Sequence, residues 1–304
     1  MFSVQTAANN FLTSLGTLEK GLSKANLQIS SGLRVNTISD APDSVSSILQ
    51  LNANIAANNQ VKFNISSVQT ETNAAESALN TATGIMDTAA SIATQGSTTG
   101  ASQNRTQLAL QVKDLITQVQ QLANTQVGGR FVFSGDTDQT PAFGNLDLTT
   151  VTGVGPYQGS LVSTRSIQDA YGVNILVAHT AKEVFDGGSS GTQATSVLQS
   201  LTQLYTALNN DDATATAAAA SNVKSAGNYL NNQQAIYGNI QNKLTVAQSA
   251  QTVIDTNLRA QLSVLQDVDE PQAITEQQSL STALQAAMGA YATLPKKSLF
   301  DFLG

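Results

Sequence analysis

The chain has no cysteine, no tryptophan and a single histidine, His179. Disulfides and thiol chemistry are excluded outright. A histidine metal site or a nucleophile–histidine pair would have to be built around His179 alone, with no second soft ligand to join it. No cofactor, no metal and no catalytic residue is therefore expected, and an enzyme is the weakest reading. Charge is scarce too: 12% of the residues are charged and the net charge is −7, where soluble proteins carry about 25%. The only adjacent basic pair is Lys296–Lys297, so the clustered cations that neutralise phosphates are missing and nucleic acid is not an expected partner. No apolar run approaches the ~20 residues of a membrane helix, which removes the bilayer. The first basic residue is Lys20, with no apolar stretch before it, so no cleavable leader is expected.

What the chain has instead is helical rhythm. Val4, Ala8, Phe11, Leu15, Leu18, Leu22, Ala25 and Ile29 are spaced alternately by four and three, the a/d seam of a coiled coil over four heptads. So narrow a stripe is weak alone and needs a partner helix. The stretch "ISSGLRVNTISDAPDS", Ile29 to Ser44, then breaks the helix at Ser30–Gly32. Asp40 or Ser39 can cap the next helix, with Pro42 tolerated in its first turn.

That second helix is expected to run to about Gln95, roughly 80 Å at 1.5 Å per residue. Its seam is Val61, Ile65, Val68, Thr72, Ala75, Leu79, Ala82, Met86, Ala89 and Ala93. A third helix carries Leu108, Val112, Ile116 and Val119 on one face and ends near Asn124. "GGRFVFSG", Gly128 to Gly135, switches to a strand or hairpin pattern; it lacks the Lys-Ser/Thr of a phosphate loop and opens no helix. From Pro141 to about Phe185 the helical period is absent, which reads as a small β-rich insertion.

Helix returns at Val197 to Leu208, and a second very long helix occupies roughly Ala213 to Val268. "DVDEPQ", with Asp267, Asp269, Glu270 and Pro271, is a second break. Three carboxylates in four residues invite a metal reading, but beside a proline at a helix break they serve capping and solubility. Ile274, Leu280, Leu284, Met288, Tyr291 and Leu294 mark a last amphipathic segment.

The fold class expected is mainly α: a long antiparallel helical rod, coiled-coil-like, with terminal helices and a small β-rich insert. Residues 1–38 and 271–304 form a terminal helical pair, 39–140 and 186–270 a rod with a β-hairpin, and 141–185 a small outer domain. If the two long helices run antiparallel, both breaks fall at one end and act as joints to the terminal pair. Gly32, Arg34, Asp40, Pro42 and Pro271 are the joint residues. Arg34 and Arg130 each have two readings, a carbonyl or carboxylate across a subunit contact or packing inside their own domain. The terminal seams are open in the same way, as the chain's own core or as an oligomer interface.

These residues resemble the bacterial flagellin superfamily end to end. "SGLRVNTISDAP" is similar to the joint between the innermost and next domains of that family, with Ala41 where a second Asp often stands. "YGNIQNKL", Tyr237 to Leu244, is similar to its L-G-A-x-Q-N-R-L segment, and "ALQAAMGAYATLPKKSLFDFL" resembles its C-terminal helix. Within the superfamily, "NTQVGGRFVFSGDTDQTPAF", "YQGSLVSTRSIQDAYGVNILVAHTAKEVFDG", the start "MFSVQT" and the final "SLFDFL" look more like the hook–filament junction subfamily than filament flagellin.

The resemblance implies a structural, extracellular part of the flagellum, exported unfolded through the flagellar channel without a cleaved leader. It implies self-association into a layer, with flagellin, an adjacent hook-associated protein and an export chaperone as partners. Assembly would use the terminal seams, Val4, Ala8, Phe11, Leu15, Leu18, Leu22, Ile29, Leu280, Leu284, Met288 and Tyr291. A short filament-forming flagellin and a soluble helical binding protein are the rival readings.

Overall fold

A computed structural model describes residues 2–98, 100, 104–169, 172–187 and 196–293, with positions 2–5, 7, 8 and 293 described by their backbone alone. The chain is mainly α. Seven α-helices are present among these residues: α1 (Phe2–Ser31), α2 (Pro42–Gly96), α3 (Arg105–Ala123), α4 (Ala181–Phe185), α5 (Val197–Asn209), α6 (Ala213–Gln266) and α7 (Glu270–Thr293), with a single 3-10 turn at Ile38–Asp40. Two hairpins complete it, β1 (Gln126–Val127) with β2 (Arg130–Phe131), and β3 (Ser166–Gln168) with β4 (Asn174–Leu176), both antiparallel. Contacts divide the chain into two compact units, residues 1–59 with 253–304, and residues 60–252.

In the larger unit the expected seam of α2 is the buried one. Ile65, Ala75, Leu79, Ala82, Met86, Ala89 and Ala93 are almost fully covered. Small residues at many of these positions let α6 come close: a Cβ on Gly227 would stand 3.5 Å from Met86 Cβ. Further along, Gln241 Nε2 donates to Asn73 Oδ1 at 2.9 Å and to Glu76 Oε2 at 2.5 Å. Met86 thus faces residue 227 and Asn73 faces residue 241, so the two helices run antiparallel here. Leu108, Val112, Ile116 and Val119 of α3 and Leu201, Leu204 and Leu208 of α5 close the same core. Its aromatic centre is Phe133, edge-on to Phe185 at 5.3 Å and to Tyr237 at 6.1 Å between centroids.

The expected β-rich insertion contains little strand. Beyond β3 and β4, the described residues among 141–185 add the single bridges Phe143–Tyr157 and Leu146–Val154. Isolated backbone bonds, such as Gly155 N–H to the Asn145 carbonyl at 2.7 Å and Gln158 N–H to the Ala142 carbonyl at 2.9 Å, are joined by side-chain ones: Asn124 both donates to the Phe143 carbonyl and accepts from its N–H, at 2.8 and 3.0 Å. Asp147 Oδ1 accepts from the Thr149 N–H at 3.1 Å. Such local bonds offer the chain an alternative to sheet pairing. The segment also ends in a helix that its sequence does not advertise: Thr180 caps α4 by accepting from the Glu183 N–H at 3.1 Å. The hairpin at Gly128–Gly129 is tight, with both glycines at positive φ, 58° and 80°, as a two-residue turn with the right-handed strand twist requires.

Candidate functional site

The sequence directs attention to the place where the two termini meet. In α1, Phe11, Leu15, Leu18, Leu22, Ala25 and Ile29 are buried or half-buried, while most positions between them are exposed. They face α7. Phe11 and Tyr291 stack with centroids 4.6 Å apart and planes 13° apart. A Cβ on Gly21 would lie 3.2 Å from Leu280 Cδ1, and Leu33 pairs with Asp267 in an antiparallel bridge. Each step forward in α1 is matched by a step back in α7, so the two helices form a straight antiparallel pair.

The seam of α7 differs from the one its large apolar residues suggest. The covered positions are Ala273, Gln277, Leu280, Ser281, Ala283, Leu284 and Ala287; Ala273, Gln277, Leu280, Leu284 and Ala287 alternate by four and three with Tyr291, which is 50% exposed but stacked on Phe11. Met288, expected on the seam, is 52% exposed, and Ile274 of the same amphipathic segment is 44% exposed. Each stands one residue, about 100° of helix, past a seam position. Alanine and glutamine carry little hydrophobic signal; the spacing of fours and threes back from Tyr291 is what marks them. The side chains of Val4 and Ala8, and all of Leu294, lie outside the described residues.

Most of this seam is only half-covered. Ala25 and Ala273, at 2% and 4% exposure, are its fully buried members, because a two-helix pair shields each seam from one side only. Within the chain, then, Phe11, Leu15, Leu18, Leu22 and Ile29 are the core of the pair.

The joint is built from backbone as much as from side chains. Gly32 stops α1 at φ 70°, with its N–H donating to the Gln28 carbonyl at 2.9 Å; a left-handed residue at a helix end is where glycine is favoured. Leaving that turn, the chain pairs with the end of α6. Arg34 N–H donates to the Gln266 carbonyl at 2.7 Å, and Val268 N–H donates to the Gly32 carbonyl at 3.1 Å. The Arg34 guanidinium Nη2 donates to the Leu265 carbonyl at 2.6 Å, a cation on the exposed carbonyls of a helix C-terminus. Both breaks therefore meet in one place. Pro42 is the first residue of α2, and Pro271 the second of α7, where a missing N–H costs no helical bond.

Asp40 does not cap α2. Its Oδ2 turns back and accepts from the N–H groups of Asn36 and Thr37 at 3.1 and 2.8 Å, and from Thr37 Oγ1 at 3.0 Å. Oδ1 lies 3.0 Å from Lys24 Nζ, a partner on α1 that the sequence did not single out. The Lys24 contact first, and the Thr37 amide next, hold the Asp40 carboxyl far below the usual carboxylate range. A lowered pKa stabilises the folded joint fully above about pH 4, and that contribution is lost as pH falls towards the folded value. Asp40→Ala is expected to cost about 1 kcal/mol, as loss of a helix cap does, and so to raise local opening about fivefold. Faster tryptic cleavage after Arg34, by the same factor at pH 6 and pH 8, would be the readout; an unchanged rate would refute it.

Two other singled-out groups, Arg130 and His179, stay within the larger unit. Arg130 Nε donates to Asp138 Oδ2 at 2.5 Å, and His179 Nδ1 lies 3.0 Å from Glu183 Oε1. Asp269 Oδ1 accepts from the Gln272 N–H at 3.1 Å at the start of α7. Among the described residues no three His, Cys, Asp or Glu side chains gather to hold a metal, and no helix is long and apolar enough to cross a membrane.

The terminal helices thus form an antiparallel pair, joined through proline-bearing breaks to two long helices. Residues 2–138 match the family model of the bacterial flagellin N-terminal helical region, so the resemblance to the flagellin superfamily is shown over that region. Among solved structures, the chain is similar to a protein of Vibrio parahaemolyticus described as a flagellar hook-associated protein. The TM-score is 0.64 at 19% identity, over 75% of this chain and 99% of that one. It is also similar to flagellar hook-associated protein 3 of Legionella pneumophila, with TM-score 0.61 at 14% identity over 72% and 98%. The flagellar junction protein FlgL of Legionella pneumophila gives 0.55 at 14% over 66% and 100%. At these identities the likeness is one of fold. No curated protein matches the chain by sequence.

Proposed function

We propose that the chain is a structural subunit of the bacterial flagellum, of the hook-associated junction type. It works outside the cell and adds to its neighbours through the terminal helix pair, without catalysing a reaction. Its partners are further copies of itself, an adjacent hook-associated protein, flagellin and, before export, a chaperone. The observation that carries this reading is the α1–α7 pair, whose seam residues are mostly half-covered in the single chain. Apolar area left in water at about 25 cal/mol per Å² is a standing drive towards association. The fold shared with hook-associated proteins supports the same reading.

A seeded assembly assay tests it. Purified chain is added to isolated hooks carrying the preceding junction protein, with and without flagellin, and viewed by negative-stain microscopy. A short cap that stops and then permits flagellin to extend is the expected result. Long filaments of this chain alone would make it a flagellin, and no addition at all would refute an assembly role.

A further inference from the structure

Asp186–Gly187 is the one Asp–Gly step in the chain, and no Asn–Gly step occurs. An aspartyl carboxyl is open to attack by the amide nitrogen of the residue that follows it. A bond forms from the Gly187 nitrogen to Asp186 Cγ, a Cγ–O bond breaks, and one water leaves with the amide proton. Water then reopens the five-membered imide at either carbonyl. Opening at Cγ restores aspartate; opening at the backbone carbonyl gives isoaspartate, with the main chain running through Cβ and Cγ. The water lost is regained, and nothing is oxidised or reduced. Glycine favours the attack, because it has no Cβ to crowd the nitrogen and its backbone turns freely.

The fold holds this step away from ring closure. Asp186 closes α4, with its N–H donating to the Lys182 carbonyl at 3.1 Å and its ψ at 10°. That ψ eclipses the Gly187 nitrogen with the Asp186 nitrogen, whereas the ring needs it over Cβ. Both carboxylate oxygens are also held: Oδ1 accepts from Ser196 Oγ at 2.6 Å, and Oδ2 accepts from Lys182 Nζ at 3.3 Å. Ser196 is itself fixed. It is 1% exposed and caps α5, its hydroxyl accepting from the Gln199 N–H at 3.2 Å. The carboxyl carbon therefore reaches the Gly187 nitrogen only after both partners are released. Phe185 and Val197, the neighbours of Asp186 and Ser196 in the chain, are fully buried, so that release also disturbs packing.

We propose that Asp186–Gly187 is a modification site gated by folding: it forms isoaspartate while the chain is unfolded and is silenced once Asp186 is seated on Ser196 and Lys182. Isoaspartate does not recover that seat. Its free carboxylate hangs directly from Cα, one carbon shorter, and the main chain is one carbon longer. The end of α4 and the cap of α5 then lose their link. Time spent unfolded is recorded covalently at the contact that joins these two helices. The inference needs no partner and stands apart from the assembly reading.

The test compares the full-length chain kept folded at neutral pH with the same chain kept in urea. Isoaspartate is counted with protein-isoaspartyl methyltransferase and located by peptide mapping. Accumulation at position 186 is expected to be at least about tenfold slower in the folded chain, because reaction waits on local opening. Ser196→Ala and Lys182→Met each free one carboxylate oxygen. With helicity unchanged by circular dichroism, each is expected to raise the folded rate about threefold or more and to leave the rate in urea as it was. Should Ser196→Ala fail to fold, Lys182→Met carries the comparison alone. Asp186→Glu would have to close a six-membered ring and is expected to lose the signal at this position. Equal rates in the folded and unfolded chain, or a folded rate that neither variant moves, would overturn the gating. Isoaspartate forming chiefly elsewhere in the unfolded chain would overturn the site.

Discussion

Tyr237→Ala is expected to lower the stability of the larger unit by about 3–5 kcal/mol, the range for emptying an aromatic site in a packed core. Tyr237 is fully buried and packs edge-on against Phe133 and the His179 ring, at 6.1 and 5.8 Å between centroids. It sits on α6 but touches residues from the irregular segment, so its loss uncouples that segment from the helix. Tyr237→Phe keeps the ring and removes only a hydroxyl that accepts a long bond, 3.4 Å, from the His179 N–H; about 1 kcal/mol or less is expected.

The phenol adds a pH signature. Burial pushes its pKa well above the ordinary value near 10. A raised folded value means that the contribution is complete below about pH 10 and is lost as pH rises towards the folded value. Wild type should therefore lose stability above pH 10 more steeply than Tyr237→Phe. Urea unfolding followed by circular dichroism across pH 7–11 measures both effects. Equal stability of Tyr237→Ala and wild type would refute the packing account, and parallel alkaline slopes would refute the ionisation account.

Arg105→Met is expected to cost about 3–5 kcal/mol, because it strips the partners from a buried cation's site. Arg105 is 4% exposed at the start of α3. Its Nε donates to the Gly96 carbonyl at 2.7 Å and its Nη2 to the Thr98 carbonyl at 2.7 Å, closing the end of α2. Its Nη1 donates to Asp211 Oδ1 at 2.5 Å and, more weakly, to the Asp211 carbonyl at 3.3 Å. Asp211 is the one non-glycine residue at positive φ, 57°, among those described. One guanidinium thus ties the ends of three helices and holds a strained turn, which a planar fork can do and an ammonium cannot. Arg105→Lys should recover less than half of the loss. Hydrogen exchange at residues 94–98 and 208–214 would report it; protection matching wild type in Arg105→Met would refute the tie.

Much of the architecture was legible because helical period is a local signal. The α1 seam from Phe11 to Ile29, the α2 seam from Val61 to Ala93, and the break at Gly32 with Pro42 opening the next helix were all set by residue spacing and by two residues with restricted backbone roles. The α7 seam was legible only in part. Leu280, Leu284 and Tyr291 carry the hydrophobic signal, while Ala273, Gln277 and Ala287 become seam positions through the register with α1. Met288 and Ile274 look like seam residues and are not.

Three things belong to the tertiary structure alone. Asp40 could have capped α2 by sequence; the position of Lys24, about two turns before the break, draws it back towards α1 instead. Arg105 reads as an ordinary charge at a helix start, and its burial follows only once the end of α2 and the turn at Asp211 converge on it. Residues 141–185 lack helical period and form one short hairpin and isolated bridges, with Asn124 and Asp147 satisfying backbone groups between them. The sequence by itself determined where helices run and where they stop, because period and breakers act over a few residues. Which faces are shared was decided by register between segments about 280 residues apart, as in Phe11 against Tyr291; local spacing carries no information over that distance.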